Sequence, residues 1–167
     1  PGFTAGLVGS WAVSLNGVNQ YVALDTSAFP NGELGGGMDA GTLSCWVKSF
    51  LPGVLYSNYN DNLGTTGLTG FGLSLTGGAA SNARIHVRGQ SLAGQPMDIG
   101  AAEGRPSAVS TMNDGRWHHV VATWQSGDRL LVYVDGVQVS SATAGAPETF
   151  ALWERSSVIG AIRTAAD

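Results

Sequence analysis

Two adjacent histidines, His118 and His119, are the residues of this chain that most invite a chemical reading. A metal pair is the first option. In an extended strand, however, neighbouring side chains point to opposite faces, so the two rings do not converge on one ion. We expect one or both to be structural, packed and hydrogen-bonded within the fold. The second candidate is an oxygen-rich run, Asn58, Asn60, Asp61 and Asn62. Its spacing superficially resembles a calcium loop, but Leu63 stands where such a loop needs glycine, and no glutamate closes it. Asp25 or Asp39 would have to add charge from another loop. The calcium candidates are therefore Asp25, Asp39, Asn60 and Asp61, set against a solvated cluster of turn residues. No reading requires a cofactor.

Carbohydrate recognition on a sheet scaffold needs exposed aromatic rings for stacking and polar side chains for hydroxyl groups. Tyr56 and Tyr59 beside Asn58 and Asp61 are the best local combination, and Trp153 with Arg155 is the second. Trp46, Trp117 and Trp124 sit inside apolar stretches and are expected in the core. In ARIHVRG, alternation puts Arg84, His86 and Arg88 on one face, a cationic strip or simply a solvated strand face. The one cysteine, Cys45, lies among strand-forming residues and reads as a small buried hydrophobe.

These residues need a scaffold, and the scaffold reads as strands. With 25 glycines and only 12% charged residues, the chain lacks the Lys, Glu and Arg that cover helical surfaces. The clearest signal is RLLVYVDGVQVSS, where Asp135 and Gly136 stand between alternating apolar runs. Such a pair favours a two-residue hairpin, because a type I′ turn needs positive φ at both central positions. RWHHVVATWQ precedes it, so the spacing predicts a three-stranded meander over 116–142. TLSCWVKSF and PGVLYSN read as two strands, and FGLSLTG and ARIHVRG as another pair. WAVSL and QYVAL flank Asn16 and Gly17, a second hairpin-like dipeptide, and SSVIGAI reads as a strand. Three stretches read as loops, the last running from Gln90 to Asn113. Roughly ten to twelve short strands suit an all-β, antiparallel two-sheet β-sandwich, or jelly roll. The 167 residues suit one domain.

Composition also excludes. The net charge is −4 and there is a single lysine, Lys48, so no basic surface is available to neutralise nucleic-acid phosphates. No apolar run approaches the roughly 18 residues of a membrane span. The opening PGFTAGLVGSW lacks the basic end and apolar stretch of a signal peptide.

SLNGVNQYVAL, TLSCWVK, NDGRWHHVVATW, LLVYVDGVQV and VIGAIR occur in an order that resembles laminin-G-like jelly-roll domains of the concanavalin A-like lectin and glucanase superfamily. The resemblance spans residues 14–163. It implies an extracellular or cell-surface setting, and it makes calcium bound by loops at one end of the sandwich an expectation; the long glycine-rich loops and low charge make a virion surface the alternative setting. Similar domains continue past the IGA strand with a further strand that closes the sheet. The sequence given stops at Asp167, so three alternatives stand: a trimmed fragment, a fold that closes differently, or an open edge completed by a neighbouring chain or a homo-oligomer. Glucanases on this fold place catalytic acids as Glu-x-Asp-x-x-Glu. Glu33, Glu103, Glu148 and Glu154 do not fall in that spacing. Some polysaccharide lyases on jelly rolls carry a strand pair like Ile85 and His86, but their other motifs are missing here.

Three functions follow. The first is a non-catalytic binding or adhesion module for a glycan or a protein surface. The second is a structural decoration or assembly domain of a virion, fibre or surface layer. The third, disfavoured by the missing acid pair, is a polysaccharide-active enzyme.

Overall fold

The computed structural model describes residues 1–24, 40–51, 53–57, 70–76, 84–90, 96–100, 112, 114–125, 129–142 and 158–160. All regular structure among them is strand, and every pairing is antiparallel. The N-terminal hairpin joins β1 (Gly2–Ala5) to β2 (Trp11–Ser14). The short β3 (Val22–Ala23) then leads towards β4 (Ala40–Val47), the first strand of a four-stranded sheet. Next along the chain come β5 (Gly53–Ser57), β6 (Gly70–Thr76), β7 (Arg84–Gln90) and β8 (Pro96–Gly100). The meander is β9 (His118–Gln125), β10 (Arg129–Val134) and β11 (Val137–Ala142), and β12 (Val158–Ile159) follows. The four-stranded sheet has the order β11-β10-β9-β4, and the six-stranded sheet has the order β3-β12-β5-β6-β7-β8.

The two larger sheets share one core. Tyr56 and Leu73 enter it from the six-stranded sheet, Val120, Ala122, Val132 and Val134 from the four-stranded sheet, and Met112 from the segment before β9. Each fully buried aliphatic side chain contributes about 1.5–3 kcal/mol relative to exposure. The pattern that builds this core is strand alternation. Along β4, Gly41, Leu43, Cys45 and Val47 are half-buried while Ala40, Thr42, Ser44 and Trp46 are exposed.

The expected meander is present, and its second turn is as the sequence indicates. Asp135 has φ 50° and Gly136 has φ 80°, the positive values of a type I′ turn. Three expectations need correction. Asn16 and Gly17 do not join paired strands, since β2 pairs with β1 and β3 pairs with β12. Asn16 instead caps a wider turn, accepting hydrogen bonds at Oδ1 from the backbone N–H groups of Val18 (3.0 Å) and Asn19 (3.2 Å). Secondly, residues 96–100, read as loop, form β8. Proline at its first position, and β7 as its partner among the described strands, suit an edge strand. Thirdly, Trp46 is not core: it is 43% exposed, because its place in the alternation of β4 puts it with Thr42 and Ser44.

Candidate functional site on the outer face of the four-stranded sheet

With Val120, Ala122, Val132 and Val134 committed to the core, the alternate residues of the same strands form the opposite, outer face. Register sets the neighbours across it. Trp46 lies opposite His119, Ser44 opposite Val121, and Thr42 opposite Thr123. Val121 and Thr123 in turn face Tyr133 and Leu131 of β10, and Tyr133 faces Gln138 of β11. The indole of Trp46 stacks on the imidazole of His119, with centroids 4.8 Å apart and planes inclined by 22°. His119 Nε2 and Ser44 Oγ share a hydrogen bond of 2.8 Å, which fixes the ring beneath the indole. Offset stacking of this kind is worth about 0.5–1.5 kcal/mol. The result is an exposed, pre-oriented tryptophan on a face of hydroxyl, amide, imidazole and phenol groups. None of the described strand side chains on this face is a carboxylate or a guanidinium, and the exposed Lys48 follows just past the end of β4.

The neighbouring histidine is built for a different task. His118 turns away from that face, and both of its nitrogens meet carboxylates. Nδ1 is 2.8 Å from Asp135 Oδ2, and Nε2 is 3.1 Å from Asp114 Oδ1. Asp135 also accepts the backbone N–H of His119 at Oδ1 (2.8 Å). Asp114 accepts the backbone N–H of Arg116 (2.8 Å). Burial by itself would lower the His118 pKa, but the hydrogen bonds and charges of Asp135 and Asp114 outweigh it and hold the pKa above the usual histidine range. Asp114 is held below the usual carboxylate range chiefly by the Arg116 N–H. Burial raises Asp135, yet its bonds from His118 and the His119 amide bring it below that range. The two histidines thus take opposite sides of the strand and both are hydrogen-bonded, as alternation requires. Among the described residues, no group of three or more His, Cys, Asp or Glu is placed to hold a metal ion.

Of the candidate ligand-binding residues, only Tyr56 lies among the described ones. It is 5% exposed and part of the shared core, so its ring is not an open stacking platform. The reason is its place near the end of β5, a strand interior to the six-stranded sheet between β12 and β6, where Ser57 is buried as well. Asn58, Tyr59, Asp61, Trp153 and Arg155 lie outside the described residues, as do the calcium candidates Asp25, Asp39, Asn60 and Asp61. His86 occupies the middle of β7, paired with Ser74 of β6 and Gly100 of β8. Cys45 is half-buried, and burial pushes its thiol pKa up to about 11, so it is no thiolate nucleophile at neutral pH. Sequence reasoning missed Trp46. The signal was present in Leu43, Cys45 and Val47, which claim the core side of β4 and leave Trp46 on the other.

Among the described residues, no helix is long and apolar enough to cross a membrane. No curated protein matches the chain. Several solved structures share its fold. The binding domain of Paraclostridial Mosquitocidal Protein 1 superposes with a TM-score of 0.70 at 14% identity, covering 97% of this chain and 38% of that one. Domain 4 of AbnA, a GH43 extracellular arabinanase from Geobacillus stearothermophilus, was solved with arabinotriose. It gives 0.57 at 20% identity, covering 96% of this chain and 66% of its own. The Ruminococcus gnavus IT-sialidase CBM40, bound to α2,6 sialyllactose, gives 0.54 at 14% identity over 83% of this chain and 72% of its own. This chain therefore spans well under half of the toxin structure and about two thirds of the arabinanase domain. The laminin-G-type family described as the concanavalin A-like lectin/glucanases superfamily matches residues 16–166, nearly the whole sequence, and the chain belongs to that family.

Proposed function

We propose that this chain is a non-catalytic binding module that receives an uncharged saccharide on the outer face of its four-stranded sheet, centred on Trp46. The observation that carries this reading is the exposed indole, held by His119 on a face rich in neutral hydrogen-bonding groups. The apolar face of a pyranose or furanose ring stacks on such an indole, and Ser44, Thr42 and Gln138 suit its hydroxyl groups. The neighbours support glycan binding as a class, since one was solved with a neutral arabinose trisaccharide and one with a sialylated sugar. That no described strand side chain on the Trp46 face is a carboxylate or a guanidinium favours the neutral kind. Action outside the cell, on a cell surface or on a virion surface, belongs to this reading.

The test is calorimetric titration with neutral oligosaccharides, arabinotriose among them, on the unaltered chain and on Trp46→Ala. Binding about tenfold weaker or worse in the variant is expected. Because Trp46 lies outside the core, the variant should fold. Binding that Trp46→Ala leaves unchanged, or no neutral glycan bound at all, would overturn the proposal. A chelator should leave the affinity unchanged, because none of the described side chains on this face is a carboxylate.

A second reading has its own observation. Phe3, Trp11 and Val13 form one face of the N-terminal hairpin and are 76%, 69% and 45% exposed. So open an apolar face favours an assembly module, and sedimentation of the chain across concentrations tests it.

A further inference from the structure

We propose that a proton on His118 acts as a clamp that holds the Trp46 face in its binding shape, so that saccharide affinity falls as the pH rises. The link to affinity rests on the function proposed above, whereas the clamp itself does not.

The geometry requires the proton. Ionised carboxylates only accept hydrogen bonds, and a neutral imidazole has a single N–H. A neutral His118 would therefore set one bare nitrogen against a carboxylate oxygen, at 2.8 Å from Asp135 or 3.1 Å from Asp114. The imidazolium donates both ways. Among the described residues, each neighbouring element brings its own charged and titratable groups. The 114–116 segment brings Asp114 and Arg116, whose Nε lies 3.8 Å from Asp114 Oδ2. The turn between β10 and β11 brings Asp135. On the β4 side, Val47 is the register partner of His118, and Lys48 comes next in the chain. On its own strand the neighbour is His119. Of these, only the two carboxylates contact the ring, and the upward shift of its pKa agrees with their dominance.

Both arms of the clamp lead to Trp46. Along the first, Asp135 accepts the His119 N–H and donates its own N–H to the His119 carbonyl (2.8 Å each). It thereby holds the backbone of the residue on which the indole stacks. Along the second, Asp114 shapes the segment in which the Gly115 N–H donates to the Ser49 carbonyl (3.0 Å), just past the end of the strand that carries Trp46. A Cβ at Gly115, where φ is +75°, would run into the Phe50 ring, so this contact is close. Loss of the proton removes one of the two N–H donors, and one arm lets go.

The test begins without ligand. NMR follows the His118 ring, the His119 amide and the Trp46 indole N–H from pH 5 to pH 9 in the unaltered chain, His118→Gln and Asp135→Asn. Asparagine tolerates the positive φ of residue 135, so the second variant keeps the turn while removing its charge. The expected result is a His118 midpoint above about 6.5, shared by the Trp46 and His119 signals, lowered in Asp135→Asn and lost in His118→Gln. If the Trp46 signals do not follow His118, or titrate unchanged in His118→Gln, the clamp is wrong. Calorimetry with a neutral oligosaccharide then reads the coupling, with affinity about fivefold lower above the midpoint. A flat affinity across a confirmed midpoint overturns the regulation and leaves the binding function intact. No binding at any pH defeats the binding function, while the ligand-free titration still judges the clamp.

Discussion

Asn16 with Gly17 and Asp135 with Gly136 are similar dipeptides with different fates. Both glycines have positive φ, 70° and 80°. At 135 the turn joins two strands that pair along their length, and its aspartate is tied to both His118 and the backbone of His119. At 16 the asparagine's bonds among the described residues stay within 16–20: it donates from Nδ2 to Asn19 and from its backbone N–H to Gln20. The chain then passes to the other large sheet, since β3 pairs with β12. A turn dipeptide therefore licenses a reversal without choosing the partner strand. Long-range bonds to the turn's own side chain decide whether it becomes integral to the tertiary structure.

The difference can be tested by removing each side chain. Asp135→Ala should destabilise the fold by about 2–3 kcal/mol, through strain at φ 50° and loss of its bonds to His118 and His119. Asn16→Ala should lose about 1 kcal/mol or less, because its bonds are local and solvated. Urea denaturation reads both, and equal losses would break the comparison.

Protons should sharpen it. The folded-state pKa of His118 is raised, so its contribution is complete below the unfolded value of about 6.5 and is lost as pH climbs through the folded value. Asp114 and Asp135 are lowered, so theirs is complete above about pH 4 and lost as pH falls through the folded values. The melting temperature should peak between these limits and fall on the alkaline side. His118→Gln should flatten the alkaline limb, and Asn16→Ala should leave it unchanged. The smallest effect is expected from Asn16→Asp, within about 0.5 kcal/mol at neutral pH in the same urea experiment.

The meander was legible because three signals agreed there: alternation, an Asp-Gly turn and two-sided apolar strands. The opposite faces of His118 and His119 followed from strand period alone. Trp46 was misread because an apolar stretch was taken as buried, whereas the period of two assigns the residue by its neighbours. Tyr56 failed for the converse reason, since its polar neighbours suggested exposure while β5 turns it inward. β8 was hidden by proline, aspartate and glycine, which an edge strand tolerates. The carboxylates that bracket His118 lie 4 and 17 residues away. Only the folded hairpin brings Asp135 back beside the start of β9.

The topology also bears on how the molecule is made. β9, β10 and β11 pair through short connections, but β4 joins β9 across nearly half of the chain, with Ser44 and His119 separated by 75 residues. Closing so long a loop is slow compared with zipping a hairpin. The meander should therefore form first, and β4 should dock later. Trp46 rides on that later strand and gains its stacking partner only then. Its fluorescence would report a late step of folding and not the first collapse.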